Sequence, residues 1–346
     1  MKLKVGIGVL ISGFFIYLAF RDVNFQEMLA ALRSANYLWL LPAFFAMLIS
    51  HWIRASRWRS FLSPIKEVGV HPLFSSLMIG YAANNVFPLR LGEFLRAFAL
   101  GKSQSVSKSS AFATVIVERL IDLLSLLVLL AGTILVYPLP PDIRKAGYVI
   151  FFITLSAIVF MVFLMEKTDG TIRLLNKLLP SKIFHAIEKT VKSFLQGFVV
   201  FKKSEHYFKI TVTSILIWFF YALVVYATFL AFSLHRNYEI NFLSSFVVLV
   251  TVSIGIMIPS SPGFVGTYHW FCMKSLSFYG VPHSEALSFA VISHALNTLP
   301  FTVIGLIYFW RENLHFSDAI VEKDLVEHEI EEEKIESPES SESLSE

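Results

Sequence analysis

The sequence predicts an all-α membrane protein with about six to eight transmembrane helices, two re-entrant or broken-helix hairpins and a disordered C-terminal tail. The 346 residues are 55% hydrophobic, include 34 Phe and have a mean hydropathy of +0.64. A soluble domain of this length does not carry so many long apolar runs. Two of those runs are interrupted by Pro, Gly and polar residues, around Pro88 and Pro262. These interruptions predict the hairpins.

Charge divides the chain into two parts. Between Asp318 and Glu346 there are 12 acidic and 2 basic residues, which leaves residues 1–316 with a net charge of +13. A like-charge run with Ser and without aromatic residues is typical of disorder. We therefore assign 1–316 to an integral membrane domain and 317–346 to an acidic disordered tail. Because the basic residues lie in short loops beside apolar runs, they indicate membrane orientation and lipid headgroups, and we expect no nucleic acid partner.

The first half of the chain predicts two spans and a hairpin. Residues 5–20 and 37–55 are long apolar runs, and a basic loop follows them, which the positive-inside rule places in the cytosol. The run from Leu73 to Pro88 is short and polar at its end, and basic loops flank it on both sides. A span needs about 20 apolar residues, so a re-entrant hairpin fits better. Residues 111–136 and 148–165 then cross the membrane.

The second half begins with a basic segment, 166–206, which contains an amphipathic pattern over about 181–201. That pattern predicts a helix in the cytosolic interface, or equally one packed on the protein. Residues 207–232 and 284–310 predict full spans. Between them, 242–258 and 268–279 predict a second hairpin entering from the outer side, or two full spans. This topology places both termini in the cytosol. We expect the protein to lie in the cell (inner) membrane.

Polar residues gather at the first break and on the next span. Asn84 and Asn85 precede Pro88, and Arg90, Glu93 and Arg96 follow it at helical spacing. The next span opens with Glu118, Arg119 and Asp122. Two interpretations stay open: the charges form a purely structural salt-bridge network, or Arg forks bind the phosphate of a lipid headgroup. Arg54, Arg57 and Trp58 are assigned to a cytosolic mouth, or are simple orientation charges with an interfacial Trp.

The second break offers small and polar groups: Ser261, Gly263, Gly266, Thr267 and His269. Glycine permits close approach of the backbone, and we place these residues in the same lipid headgroup site. His269, His294 and Asn297 are too scattered for a metal site, and no cofactor is expected. Hydrolase, zinc-protease and nucleotide-binding motifs do not occur in the sequence.

Several stretches together resemble the lysylphosphatidylglycerol synthase transmembrane region family, a flippase-like family of integral membrane proteins. The resemblance covers about residues 30–310. It rests on these segments: Arg54-x-x-Arg57-Trp58, Asn85-Val86-Phe87-Pro88-Leu89-Arg90-Leu91-Gly92-Glu93-x-x-Arg96, Ala113-Thr114-Val115-x-Val117-Glu118-Arg119-Leu120-x-Asp122, Ser261-Pro262-Gly263-x-x-Gly266-Thr267 and Gly280-Val281. The chain departs from the family pattern at Phe264 and His269. A cytosolic synthase domain is missing after Arg311, so the resemblance implies lipid translocation and not lysyl transfer.

Two interrupted segments in corresponding halves are typical of a transporter binding site near the bilayer midplane. We therefore predict a multi-pass protein that moves a phosphate-bearing phospholipid or glycolipid between leaflets, with an anionic membrane lipid as substrate. We expect an enzymatic function less than a transport function. The alternatives are a membrane transferase acting on a lipid acceptor and a non-transporting scaffold of a lipid-synthesis complex, either of which implies a lipid-synthesis enzyme as partner.

Overall fold

The computed structural model describes residues 2–87, 91–137, 206–258 and 260–314, with a few helical positions between 145 and 159. Every regular element in these ranges is helical, which confirms the predicted all-α class. Short 3-10 turns at Tyr37–Trp39 and Pro262–Phe264 accompany the α-helices. The helices are α1 Lys2–Phe20, α2 Phe25–Ser34, α3 Leu40–Leu62, α4 Val70–Val86, α5 Gly92–Gln104, α6 Lys108–Val136, α7 Tyr207–Ala231, α8 Leu234–Asn237, α9 Ser244–Met257, α10 Thr267–Ser277 and α11 His283–Arg311.

Four of the described segments are long and apolar enough to cross a bilayer. They are Tyr37–Leu62, Lys108–Val136, Tyr207–Ala231 and His283–Arg311, each with room for the roughly 20 residues that a span requires. These correspond to four of the predicted spans. The predicted span 148–165, the amphipathic helix at 181–201 and the acidic tail 317–346 lie wholly or largely outside the described residues. The total of six to eight spans therefore stays a prediction.

The first predicted span is more complicated than the sequence indicated. Helices α1 and α2 meet at an angle of 84°, so residues 5–20 form one limb of a bent pair. Asn24 produces the bend because its Oδ1 accepts hydrogen bonds from the amides of Gln26 and Glu27, at 3.0 and 3.4 Å. Such a cap starts a new helix and does not continue the old one. The sequence interpretation had missed this bend.

Helices α4 and α5 form the first hairpin, as predicted. Gly80 and Gly92 face each other where the two limbs cross, and a Cβ on Gly80 would lie 2.9 Å from both Arg96 Cβ and Gly92 O. Asn84 Oδ1 accepts the Gly92 amide at 2.8 Å and satisfies the start of α5. Glycine at the crossing therefore allows the limbs to pack closely, and the asparagine supplies the backbone partner that the break removes.

Helices α9 and α10 form the second hairpin. With 14 and 11 residues they reach about 21 and 17 Å, too short for the roughly 30 Å hydrocarbon core. Between them Gly263 and Gly266 have φ values of 66° and 93°, which glycine adopts without strain. Helix α1 closes over this break, since the amide of Ser261 donates to Ser12 Oγ at 2.7 Å. The structure thus favours the hairpin over two full spans.

The two hairpins enter from opposite ends of the helical bundle, and their tips meet. The base of α4 lies beside the end of α11, where His71 Nε2 is 3.3 Å from Tyr308 OH. Helix α9 starts at the other end, where the Tyr137 and Ser244 hydroxyls are 2.6 Å apart. At the tips, a Cβ on Gly263 would lie 3.6 Å from the carbonyl oxygen of Asn85. The breaks therefore face each other inside the protein.

Close packing of the first hairpin predicts that a larger side chain at Gly80 destabilises the protein. Gly80→Val should lower the free energy of unfolding by about 1–3 kcal/mol or more, because the new side chain collides with α5. Gly132→Val is the matched control, since nothing lies within 4 Å of the site where its Cβ would be. Thermal melting of the detergent-purified protein measures both. Equal melting temperatures would show that the limbs are not closely packed.

Candidate functional site

Charged side chains from three helices meet inside the bundle. We call this group the arginine cluster, and it unites α3, α5 and α6. Its members are Arg54, Arg57, Arg96, Glu118, Arg119 and Asp122. Helical spacing explains the gathering, because residues three or four apart share one face, as do Arg54 with Arg57 and Glu118 with Asp122.

Glu118 is the centre of the arginine cluster. Its side chain is fully buried, and its Oε1 accepts from Arg54 Nη1 at 2.6 Å. Arg96 pairs with the same carboxylate through both of its terminal nitrogens. Glu118 lies ten residues into α6, or about 15 Å from the start of that helix. One carboxylate at this depth therefore joins α3 and α5 to α6.

Asp122 holds the other side of the cluster. Arg57 Nη2 donates to Asp122 Oδ1 at 2.6 Å, and Arg54 Nη1 donates to Oδ2 at 2.7 Å. Helix α7 completes the coordination, since Ser214 Oγ accepts from Arg57 at 2.9 Å and Tyr221 OH from Arg54 at 3.3 Å. A buried ion pair needs such additional hydrogen bonds to offset desolvation.

The arginine cluster contains more positive than negative charge. Four guanidinium groups face two carboxylates, which leaves a surplus of two positive charges. Glu93 stands in the first turn of α5, and its Oε2 is buried without a hydrogen-bond partner among the described residues. Counting Glu93, one positive charge still remains. Arg90, the remaining predicted cation, lies outside the described residues.

Arg119 is the arginine best placed to meet another anion. Its side chain is 43% exposed, whereas those of Arg54, Arg57 and Arg96 are at most 5% exposed. Its bonds within the cluster are also longer, at 3.4 Å to Glu118 and 3.8 Å to Asp122. The three buried arginines are held tightly, and Arg119 has donors to spare.

The predicted cytosolic mouth is not exposed in the structure. Arg54, Arg57 and Trp58 were expected there, yet all three are buried, because α3 continues to Leu62 and carries them into the bundle. The Arg96 guanidinium carbon lies 3.8 Å from the centroid of the Trp58 ring, a cation–π contact. Trp58 also donates to Thr114 Oγ1 at 2.9 Å. Arg54 and Arg57 are thus members of the cluster, and Trp58 packs against it. The helical spacing of these residues on α3 was the sequence signal that could have placed them.

The two asparagines of the first break make contacts within the protein. Asn84 caps α5, as described above. Asn85 Nδ2 donates to Thr302 Oγ1 at 2.8 Å, and so ties the hairpin tip to α11. Both were predicted to bind a headgroup directly, but their side chains position the tip. Direct headgroup binding by these two residues stays a prediction.

Residues of the second break lie across the tip contact from Asn85 and the first hairpin. Gly263 O is 2.6 Å from His294 Nε2, and Thr267 Oγ1 is 3.1 Å from Ser260 Oγ. His269 packs on His294, with ring centroids 4.8 Å apart. Ser261 and Gly266 contact α1 through Ser12. The predicted residues of this break therefore do come together, although no contact joins them to the arginine cluster among the described residues.

A separate contact fixes the base of the first hairpin beyond the end of α11. Ser75 Oγ donates to Glu312, whose other carboxylate oxygen is buried without a partner among the described residues. Burial raises the pKa of the Glu312 carboxyl above its ordinary value. This contact holds α4 against α11 at the end of the bundle remote from the tips.

Comparison with known proteins agrees with the membrane architecture. A family model described as "Lysylphosphatidylglycerol synthase TM region" matches residues 5–305, which confirms the resemblance found in the sequence. The chain is 27% identical to a UPF0104 membrane protein of Methanothermobacter thermautotrophicus, over 81% of this chain and 87% of the relative. It is 23% identical to a UPF0104 membrane protein of Methanocaldococcus jannaschii, over 89% of this chain and 95% of the relative.

A third relative has a different name. The chain is 22% identical to the glycosyltransferase AglD of Haloferax volcanii, over 95% of this chain and 58% of that protein. Almost the whole membrane region is therefore similar to one part of a longer protein.

The contacts of Glu118 predict a large loss of stability when its negative charge is removed. Glu118→Gln should lower the free energy of unfolding by about 3–5 kcal/mol, because Arg54 and Arg96 lose their shared carboxylate. Thermal melting followed by Trp fluorescence measures the change. Glu67→Gln is the matched control; its exposed pair with Arg59 contributes at most about 1 kcal/mol.

A second variant keeps this prediction testable if Glu118→Gln does not fold. Adding Arg96→Met removes one of the unpaired cations, and we expect it to restore part of the lost stability. A double variant no more stable than Glu118→Gln alone, or a single variant as stable as Glu67→Gln, would contradict the central role of Glu118.

Proposed function

The chain belongs to the lysylphosphatidylglycerol synthase TM region family, and we propose that it binds a phosphate-bearing membrane lipid between its two hairpins and moves that lipid from one leaflet to the other. The protein is a multi-pass integral membrane protein, so the substrate reaches the site from the bilayer. The lipid tails stay in the hydrocarbon layer while the headgroup enters the polar interior.

The observation that carries this proposal is the surplus positive charge of the arginine cluster. Cations inside a membrane protein are expensive unless anions accompany them. The described carboxylates offset only part of the charge, even with Glu93 included. A lipid phosphate supplies the missing negative charge and carries oxygens spaced for the planar fork of an arginine. The site thus favours an anionic headgroup over a neutral one.

Roles within the cluster follow from the contacts. Arg119 is the phosphate ligand, because it is the exposed member and its shortest carboxylate contact is 3.4 Å, whereas Arg54 and Arg57 each have one at 2.6 Å. Glu118 and Asp122 hold Arg54, Arg57 and Arg96 in place. Those three arginines contribute a fixed positive field around the ligand and do not leave their partners.

The two opposed hairpins favour a protein that transports its lipid over one that only binds it. Transporters commonly place broken helices at the midplane, where two repeats or bundles move against each other. Here the tips touch at Asn85 and Gly263. In this state the tip contact separates the two ends of the bundle, and transport would require the tips to move apart. Each hairpin is anchored at its own end, and on this proposal the tips move by breaking their bonds to α11 and α1.

A second candidate function is suggested by the relative named a glycosyltransferase. Because this chain covers 58% of that protein, its membrane region occurs beside additional sequence there. On this candidate, the arginine cluster presents a lipid acceptor to a transferase supplied by a partner. Transferase activity of the purified chain alone, or activity that appears only when a lipid-synthesis enzyme is added, would favour this function over transport.

The role of Arg119 is tested by transport in proteoliposomes. Arg119→Gln should slow the movement of a fluorescent, headgroup-labelled phospholipid by about 10- to 100-fold, because a charge-assisted hydrogen bond is lost. Accessibility of the label to an external quencher gives the rate. Arg59→Gln is the control, since the ion pair of Arg59 in the described part of the chain is with exposed Glu67. If both variants transport as fast as the unaltered chain, Arg119 is not the phosphate ligand.

A further inference from the structure

Two histidines pack against each other beside the second hairpin tip. His269 lies in the first turn of α10 and His294 in the middle of α11, with ring centroids 4.8 Å apart. The Tyr268 ring packs on His294 at 4.9 Å, and its hydroxyl bonds to Ser293 at 2.8 Å and Asn297 at 3.2 Å. We call His269 and His294 the histidine pair.

Hydrogen bonds fix which nitrogen of each ring carries the proton. His294 Nε2 lies 2.6 Å from the carbonyl oxygen of Gly263, which can only accept, so Nε2 bears the hydrogen. Neutral His294 then has a lone pair on Nδ1. His269 Nδ1 accepts the amide of Gly266 at 3.4 Å, so neutral His269 carries its hydrogen on Nε2.

The remaining nitrogens are therefore a donor and an acceptor. His269 Nε2 and His294 Nδ1 have no hydrogen-bond partner among the described residues, and neither is a fully buried atom. His269 as a residue is only 9% exposed. A largely buried polar ring with an unused donor beside a helix break is expected to meet a ligand or water.

From this arrangement we propose that the histidine pair is a second headgroup subsite, which binds a hydroxyl of a polyol or sugar. A hydroxyl both donates and accepts, so it can donate to His294 Nδ1 and accept from His269 Nε2. A phosphate oxygen without a proton cannot satisfy the lone pair of His294, and an ammonium cannot accept from His269. The inference rests on the proposed function, because the hydroxyl belongs to the headgroup of the transported lipid.

Isosteric substitutions can remove each free nitrogen while the internal bond stays. Asn at position 269 retains an oxygen near the place of Nδ1, which still accepts from Gly266, but it lacks the Nε2 donor. Gln at position 294 retains a donor near the place of Nε2 for Gly263, but it lacks the Nδ1 acceptor. His269→Asn and His294→Gln therefore separate ligand binding from the packing of the tip. Exposed His283 provides the control His283→Gln.

The experiment compares two lipids of equal charge. The full chain is purified and titrated with phosphatidylinositol and with phosphatidylethanol, each of which has one phosphodiester but only the first of which has headgroup hydroxyls. Native mass spectrometry gives the two affinities. The unaltered chain and His283→Gln should prefer phosphatidylinositol by about two- to tenfold, the contribution of one or two hydrogen bonds. His269→Asn and His294→Gln should each remove that preference.

The possible outcomes separate this inference from the proposed function. A preference that persists in both histidine variants, or equal affinities in the unaltered chain, overturns the hydroxyl subsite. So does an equal loss of affinity for both lipids in the histidine variants, since that indicates a role in folding. Arg119→Gln should weaken both lipids alike; if it weakens neither, the phosphate site is overturned, whatever the histidine variants do.

Discussion

Burying arginine in a membrane protein requires anions, and this requirement organises the structure. Glu118 is fully buried and pairs with Arg54 from α3 and Arg96 from α5. Asp122 adds Arg57 and, through it, Ser214 of α7. Four helices are thus joined by two carboxylates on one face of α6. Removing either partner of such a pair leaves a charge with no water to solvate it, so the helices are held in one arrangement.

The same cluster supports the proposed function because its charges do not balance among the described residues. A purely structural network would be expected to pair its charges fully, whereas this one keeps a cation that is 43% exposed. The first hairpin carries Arg96 into the cluster and ends at a tip that meets the second hairpin. Movement of that tip would therefore change the surroundings of Arg119. Charge surplus and opposed hairpins are separate observations that support the same proposal.

Much of the fold could be predicted from the sequence, because hydrophobic length and Pro and Gly breaks are local signals. The spans near 37–62, 108–136, 207–231 and 283–311 and both hairpins were found in this way. The bend at Asn24 was missed, since one capping side chain creates it in the short polar stretch after the predicted span 5–20. The site was predicted only in part. Glu118 and Asp122 stand within a predicted span, and Arg96 follows the first break at helical spacing. Arg54 and Arg57 looked like loop charges, because the predicted span ended at residue 55 and α3 continues to Leu62.

Other parts of the site depend on tertiary contacts that no local pattern encodes. Asn84 and Asn85 looked like ligands, yet their partners Gly92 and Thr302 are set by the hairpin and by α11. The two members of the histidine pair are 25 residues apart in sequence, and their tautomers depend on carbonyl and amide groups of the break. The sequence could identify the polar residue types, and the structure shows which of them cap a helix or join two helices.

The most direct test of the central claim is a structure of the full chain in a lipid nanodisc that contains an anionic phospholipid. The account predicts a headgroup phosphate within about 3 Å of the Arg119 guanidinium, since charge-assisted bonds to phosphate have that length. Arg54, Arg57 and Arg96 should keep their carboxylate partners. A cluster in which Arg119 meets only protein carboxylates, with every phosphate at the bilayer surfaces, would contradict it.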